Sequence, residues 1–415
     1  MKFYALIFLV ATAATYLTVP LVRQFAIATG TLAPVRARDV HQFPTPRLGG
    51  VAMGLGFLVA LFIAGHTPYL NQAVNWDNAK GLVVGTVLIC LLGVVDDIWD
   101  LDWYTKLAGQ ILIAGIMAYL GIQLTSFPVF GLTIGSSRLS LFATVLVVVA
   151  AINAVNFVDG LDGLASGMMA IGAAGLFIYS YALTKTLGAA SYASLATTVA
   201  AALVGICLGF LAHNFSPASI FMGDTGAMLL GLLTAAAAII ITGQIDPAAV
   251  YFRQAFPSFL PVLLPIAVLA IPLFDMVASV IRRLYHHQSP FQADAGHLHH
   301  RLSRAGRSRV RAVLVMYLWT AVFSLGAASL TLLRMRYVLA LVSVASVLAL
   351  VVSIEILPAA RERVRRVFNP RYRPVHGPVH AWDGSECAVW LHEGKAPHEA
   401  DPNGEPPEDC KHEPR

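Results

Sequence analysis

Hydrophobic residues along this chain are grouped into long runs that are separated by short polar segments. Eleven of these runs approach or reach the roughly 20 mainly apolar residues that a membrane-spanning helix needs. They cover approximately residues 3–22, 49–65, 81–95, 107–124, 139–155, 163–184, 195–213, 225–243, 259–281, 312–333 and 337–357. The pattern predicts an all-α polytopic membrane protein with about eleven transmembrane helices.

The composition also indicates a lipid environment. Of the 415 residues, 57% are hydrophobic and 12% are charged, whereas a soluble globular protein carries roughly 25% charged residues. Two of the four cysteines, Cys90 and Cys207, lie in apolar runs, and Cys387 and Cys410 lie near the C-terminus. This distribution fits no disulfide framework.

The first apolar run has two interpretations. Lys2 precedes it and small residues follow it, as in a signal peptide. Its length of roughly 20 apolar residues and the basic Arg23 after it favour a retained helix. We therefore expect this run to be the first span of the mature protein.

Lysine and arginine are distributed unequally between the two sides of the predicted membrane domain. If the N-terminus is outside and the C-terminus is cytoplasmic, 21 of the 28 Lys and Arg residues lie on the cytoplasmic side, in agreement with the positive-inside rule. Topology therefore explains the net charge of +5, and we expect no nucleic-acid partner.

Two further segments depart from the apolar pattern. We divide the chain into a transmembrane domain, 1–357, and a cytoplasmic tail, 358–415, which is first basic and then, from about residue 370, has a composition typical of disorder. The histidines and cysteines of the tail match no zinc-binding spacing. The segment "LTSFPVFGLTIGSS", 124–137, predicts a small external β-hairpin.

Five polar segments fall on the same side of this topology. They are 41–50, 94–102, 153–167, 213–228 and 289–311, and they carry acids, amides, histidines and glycines. The external loops carry only scattered polar residues. Because a merely solvated surface would spread such residues over both faces, the pattern predicts an active site that faces the cytoplasm.

The segment "VVDDIWDLD", 94–102, places Asp96 and Asp97 at the end of an apolar run. Acids at a helix end in water cost little, which is one interpretation. The other is a divalent cation, because adjacent carboxylates repel one another and Mg²⁺ relieves that repulsion. Asp159, Asp162 and Asp224 on neighbouring loops add candidate ligands.

Two other loops have both structural and functional interpretations. In "FMGDTG", Asp224 is suited to cap the next helix, whose N-terminus also attracts phosphate, and Phe221 packs in the core or stacks on a base. In "GHLHHRL", the residues His297, His299, His300 and Arg301 form a polar loop, part of a metal site, or a site for phosphate binding and proton transfer.

Taken together and in this order, "HQFPTPRLGG", "GVVDDIWDLDWYTKLAGQ", "NAVNFVDGLDGLASG", "FMGDTG" and "HLHHRL" resemble the polyprenyl-phosphate N-acetylhexosamine-1-phosphate transferases. This membrane superfamily includes phospho-N-acetylmuramoyl-pentapeptide transferase. The resemblance implies transfer of a sugar 1-phosphate from a UDP-sugar to undecaprenyl phosphate, with release of UMP. It implies Mg²⁺, with Mn²⁺ as an alternative, and a multi-pass protein of the bacterial inner (plasma) membrane, and it is compatible with a homodimer.

The resemblance also implies roles for individual residues. Asp96 deprotonates or positions the lipid phosphate, Asp97 lies near the metal, Asp224 is a metal ligand, and Lys106 belongs to the catalytic set with His299 and His300, which bind phosphate. The residues expected to bind substrate are Asn156, Asp159, Asp162, Phe221, His297, Arg301, His41 and Arg47.

Within the superfamily, "HLHHRL" and "PTPRLGG" are similar to the branch that uses UDP-N-acetylglucosamine. Asp39 and Ala295 depart from that pattern, which often has lysine and arginine there. Another UDP-N-acetylhexosamine or UDP-N-acetylmuramoyl-pentapeptide therefore remains an alternative donor. A prenyltransferase, a CDP-lipid phosphotransferase and a transporter are rival interpretations, but a transporter places its key polar groups near the bilayer midplane.

Overall fold

The structure is a computed structural model, and it describes residues 1–32, 45–74, 76–124, 136–187, 192–243, 260–285 and 309–356. These residues are almost entirely helical. Within the described ranges there is no β-sheet, and a single antiparallel bridge joins Leu32 to Pro46. The predicted all-α class is therefore confirmed, whereas most of the predicted hairpin and the whole tail from residue 358 lie outside the described residues.

The described part of the chain contains thirteen helices. In chain order they are α1 (Lys2–Ala28), α2 (Gly49–His66), α3 (Pro68–Ala73), α4 (Trp76–Trp99), α5 (Trp103–Tyr119), α6 (Ser137–Val158), α7 (Leu164–Leu187), α8 (Tyr192–Asn214), α9 (Gly223–Gly243), α10 (Leu260–Val268), α11 (Ala270–Tyr285), α12 (Arg309–Ser329) and α13 (Met335–Ile356).

Nine of these helices are long and apolar enough to span a membrane, namely α1, α2, α4, α6, α7, α8, α9, α12 and α13. The predicted span 107–124 corresponds to the shorter helix α5, and the predicted span 259–281 corresponds to α10 and α11, which are separated at Leu269. Pro265 lies inside α10, and proline removes a backbone hydrogen bond from a helix. The protein is thus a multi-pass membrane protein, while the count of eleven spans and the orientation of the termini remain predictions.

Helix α9 lies at the centre of the bundle. Its apolar window is completely buried, whereas those of the peripheral helices α1 and α13 are only 28% and 17% buried. Helix α9 packs against α2, α4, α6 and α8. Its side chains are almost all small or aliphatic, as expected for a helix that contacts protein on every side.

Glycines bring the first turn of α9 very close to two neighbouring helices. A Cβ atom at Gly50 of α2 would overlap the backbone of Gly226, and one at Gly93 of α4 would overlap the backbone of Thr225. Small residues are the usual means by which membrane helices approach closely. These contacts fix the N-terminal end of α9 beside the C-terminal end of α4, where the paired acids lie.

Candidate active site

The first turn of α9 is capped by a side chain from another helix. Asp97, which is 8% exposed, accepts hydrogen bonds from the backbone N–H groups of Asp224 at 2.8 Å and Thr225 at 3.1 Å. It also accepts one from the Thr225 hydroxyl at 2.6 Å. The carboxylate therefore satisfies free amides and interacts favourably with the positive end of the helix dipole.

Glycine is required at the start of this helix. Gly223 has a φ of +68°, and a Cβ atom there would lie 2.5 Å from one carboxylate oxygen of Asp97. Residues with side chains rarely adopt such a backbone conformation. The sequence "GDTG" thus combines a turn that only glycine tolerates with the amides that Asp97 binds.

Lys106 joins two of the predicted acids. Its ammonium group lies 2.7 Å from Asp96 and 2.5 Å from Asp224. Asn156 donates a further hydrogen bond to the same Asp224 oxygen at 2.7 Å. Asp96 is fixed from its other side by the backbone N–H of Leu101 at 3.1 Å. Residues from α4, α5, α6 and α9 therefore meet in one cluster, which we call the acidic cluster: Asp96, Asp97, Lys106, Asn156 and Asp224.

The predicted loop after α6 borders this cluster. The pKa of Asp159 is raised to about 8, first because its carboxyl group is buried. The negative charges of Asp224, Asp97 and Asp162 add to the rise, and the positive charge of Arg47 opposes it. The backbone N–H of Asp159 also donates to the carbonyl of Asn156 at 3.3 Å, so this loop begins directly at the acidic cluster.

The start of α2 is held against the segment that precedes α9. Phe221 donates its backbone N–H to the carbonyl of Pro46 at 2.8 Å, and its own carbonyl accepts from Gly49 at 3.0 Å. Gly50 donates to the carbonyl of Met222 at 2.9 Å. The motif "PTPRLGG" is thereby placed beside "FMGDTG", with half-buried Arg47 and Phe221 on adjacent segments.

Asn214 links the loop after α6 to the loop after α8. Its carbonyl oxygen accepts from the N–H of Gly163 at 3.0 Å, and its amide donates to the carbonyl of Ile220 at 3.0 Å. Asp162 makes a second link, since it accepts from the N–H of Ala218 at 3.3 Å. These contacts therefore hold the two loops to each other.

The structure thus brings together most of the predicted site residues in the described ranges. His41, His297, His299, His300 and Arg301 lie outside the described residues, so their predicted roles remain predictions.

Several residues that were not predicted also belong to the site or its support. Thr225 and Asn214 make the contacts given above, and Gln110 and Asn153 form a part-buried hydrogen-bonded pair one helical turn from the acidic cluster. Asn153 and Gln110 stand inside two of the motifs, but the sequence does not show which helical turns face each other. Only the packing of the helices reveals the pair.

The acidic cluster has the charge and donor set that a divalent cation prefers. Asp96, Asp97 and Asp159 surround Asp224, and the Lys106 ammonium contacts two of these four acids, Asp96 and Asp224. Among the described residues, no three acids, histidines or cysteines are arranged as a complete metal site. Mg²⁺ needs no such arrangement, because it binds one or two carboxylates and completes its shell with water and substrate phosphate. The residues present therefore fit Mg²⁺.

These features define a class of protein: a multi-pass membrane protein with a partly buried cluster of acids, a lysine and an amide at the ends of its helices. Comparison with known proteins agrees with that class. The sequence profile described as glycosyl transferase family 4 matches residues 79–242.

Three relatives extend the match over most of the chain. The decaprenyl-phosphate N-acetylglucosaminephosphotransferase of Mycolicibacterium smegmatis is 39% identical over 355 residues, covering 84% of this chain and 87% of the relative. The protein of the same name from Mycobacterium tuberculosis is 38% identical over 330 residues, covering 78% and 82%. The probable undecaprenyl-phosphate N-acetylglucosaminyl 1-phosphate transferase of Bacillus subtilis is 30% identical, covering 77% and 83%.

The chain therefore belongs to glycosyl transferase family 4, in the superfamily of polyprenyl-phosphate sugar-1-phosphate transferases. It is a sugar-1-phosphate transferase of the membrane, and the family predicted from the five motifs is confirmed.

Proposed function

We propose that the protein transfers N-acetylglucosamine 1-phosphate from UDP-N-acetylglucosamine to undecaprenyl phosphate or a polyprenyl phosphate of similar length. The products are UMP and a polyprenyl diphosphate N-acetylglucosamine, which begins the synthesis of a cell-wall polymer or surface polysaccharide. The observation that carries this proposal is the acidic cluster centred on Asp224, at the ends of helices from a membrane bundle. The names of the three relatives support the choice of sugar and lipid class.

The proposed reaction is a displacement at phosphorus. An oxygen of the lipid phosphate forms a bond to the sugar-bearing phosphorus of the donor, and the bond from that phosphorus to the oxygen of UMP breaks. Both partners are anionic, so catalysis depends on charge neutralisation and positioning. Asp96 accepts any proton from the lipid phosphate or orients it, and the Lys106 ammonium at 2.7 Å favours the ionised form of Asp96.

Mg²⁺, or Mn²⁺ in its place, supplies neutralising charge for the donor diphosphate when bound. Asp224 would hold it. Asp97 would act beside it, since its Oδ1 accepts one hydrogen bond from the described residues and so retains a lone pair. Asp97 also fixes the backbone of Asp224, which sets where that carboxylate points.

The donor would extend from the acidic cluster across the two loops linked by Asn214. Asn156, Asp159 and Asp162 line this region, and Phe221 lies on the segment beside it, where its ring would stack against uracil. We propose that Arg47 binds the donor diphosphate together with the residues predicted from the sequence alone: His41, His297, His299, His300 and Arg301. We place this face of the protein on the cytoplasmic side of the inner membrane.

UMP release by the purified protein tests the proposal. We expect UMP only when UDP-N-acetylglucosamine, a polyprenyl phosphate and Mg²⁺ are all present, and we expect EDTA to stop the reaction. Undecaprenyl and decaprenyl phosphate are compared in parallel. Asp224→Asn and Asp97→Asn should abolish turnover although both variants still insert into the membrane and purify.

Each alternative outcome has a defined meaning. UMP formed only from UDP-N-acetylmuramoyl-pentapeptide or another UDP-N-acetylhexosamine would change the assigned donor and keep the reaction. Full activity of Asp224→Asn would contradict the metal assignment. Absence of UMP with every donor would contradict the proposed function.

A further inference from the structure

A hydrogen-bonded pair of a buried glutamine and a half-buried asparagine lies one helical turn from the acidic cluster. Gln110 of α5 is 1% exposed, and its carbonyl oxygen accepts a hydrogen bond from the amide of Asn153 on α6 at 2.7 Å. The Asn153 amide also donates to the carbonyl of Val149 on its own helix at 2.8 Å. The Gln110 amide donates to the sulfur of Met228 on α9 at 3.4 Å.

The pair repeats the acidic cluster one helical turn further into the bundle. Gln110 follows Lys106 by four residues, Asn153 precedes Asn156 by three, and Met228 follows Asp224 by four, so each lies on the same helix face as its counterpart. Helices α5, α6 and α9 thus contribute one residue each to two adjacent layers.

The two layers differ in what holds them together. In the acidic cluster, Asp224 accepts from both Lys106 and Asn156. In the layer of Gln110 and Asn153, α9 supplies only a thioether, which is a weak acceptor. The strong contact there is the amide–amide hydrogen bond from α6 to α5. An amide without a partner is costly in an apolar interior. This hydrogen bond therefore stabilises one register of α5 relative to α6.

We propose that Gln110 and Asn153 are positioning residues, which set the register of α5 and α6 so that Lys106 and Asn156 reach the same oxygen of Asp224. This inference rests on the proposed function only because its test measures the turnover of that reaction. We assign no substrate contact to the pair, which lies one turn of helix from the acidic cluster.

Kinetics of Gln110→Met test the proposal. Methionine preserves the volume of the side chain and removes the acceptor. We expect kcat to fall by about tenfold or more, the scale of one buried hydrogen bond, while KM for the sugar donor changes by less than about threefold. The matched control is Gln123→Met, since Gln123 bonds the carbonyl of Ser137 at an exposed position; its kcat should equal that of the wild type.

Exchange of the two side chains gives a second measurement. Gln110→Asn alone shortens the side chain that carries the acceptor oxygen, so kcat should fall. Addition of Asn153→Gln lengthens the donor side chain by the same amount, so the two amides can meet again. The double variant should therefore have a kcat within about threefold of the wild type. A purely structural pair would lower the thermal midpoint and leave kcat per folded molecule unchanged.

The outcomes are separable from those of the proposed function. A wild-type protein inactive with every donor contradicts the proposed function. An active wild type whose Gln110→Met and Gln110→Asn variants keep full kcat, or whose exchange variant is no better than Gln110→Asn, overturns the positioning role.

Discussion

At the scale of single residues, the two adjacent acids of α4 have different environments. Asp96 contacts the ammonium of Lys106, whereas Asp97 accepts three hydrogen bonds from the first turn of α9. Consecutive residues of a helix point in directions about 100° apart, so two neighbouring carboxylates reach two different partners. We infer that Asp96 faces the lipid phosphate, and that Asp97 holds Asp224 in place and acts beside the metal.

Replacement of Lys106 by methionine should lower kcat by about 100-fold or more. The change keeps most of the side-chain stem and removes the charge that lies 2.7 Å from Asp96 and 2.5 Å from Asp224. Two half-buried or buried carboxylates then repel each other without a cation between them. UMP release by the purified variant measures the effect.

The chain provides a matched control for this substitution. Lys80 forms an ion pair with Asp77 at 2.7 Å, but both side chains are exposed, at 71% and 84%. Exposed pairs contribute little, so Lys80→Met should keep wild-type kcat. Equal kinetics of Lys106→Met and Lys80→Met would contradict the catalytic role of Lys106.

At the scale of helices, the crossing of α4 and α9 determines the geometry of the site. Gly93, three residues before Asp96 on α4, lies against the backbone of Thr225. The close approach allows Asp97 to reach the amides of Asp224 and Thr225. A wider crossing would separate the carboxylate from the helix that it caps.

Gly93→Ala should therefore lower the thermal midpoint in detergent and the yield of folded protein. The added methyl group would overlap the Thr225 backbone, and overpacking of a core costs about 1–3 kcal/mol. Gly115→Ala is the control, because a Cβ atom at Gly115 of α5 meets no atom within 4 Å. A Gly93→Ala protein as stable as Gly115→Ala would show that the crossing is not tightly packed.

Much of this arrangement is predictable from the sequence, but the contacts between helices are not. The apolar runs identify the described spanning helices, and the motifs identify Asp96, Asp97, Lys106, Asn156 and Asp224. The hydrophobic pattern does not reveal that α10 and α11 are separate, because no polar residue marks the break at Leu269. It also does not reveal the Gln110–Asn153 bond, since two residues 43 positions apart pair only after α5 and α6 pack.

At the scale of the whole molecule, the helices form a bundle around α9, and the acidic cluster lies at one end of it. The site draws residues from α4, α5, α6 and α9, so no single helix contains it. The sidedness of the polar segments and of the basic residues predicts that this end faces the cytoplasm.

The native cysteines allow a test of that orientation. We expect a membrane-impermeant maleimide to leave Cys387 and Cys410 unlabelled in intact spheroplasts and to label them after permeabilisation, because the tail is predicted to be cytoplasmic. A Lys2→Cys variant should be labelled without permeabilisation. Cys207 is buried in α8 and should stay unlabelled in both intact and permeabilised spheroplasts. Labelling of the tail in intact spheroplasts would reverse the predicted topology.

The complete burial of α9 has a consequence for lipids that diffuse within the bilayer. Protein surrounds the apolar length of this helix, and Asp224 stands in its first turn. In the proposed reaction, a polyprenol carrier therefore reaches the acidic cluster with its headgroup only, while its isoprene units remain outside the central helix. The number of isoprene units should then have little influence on turnover, so carriers of ten and eleven units would serve this protein equally well.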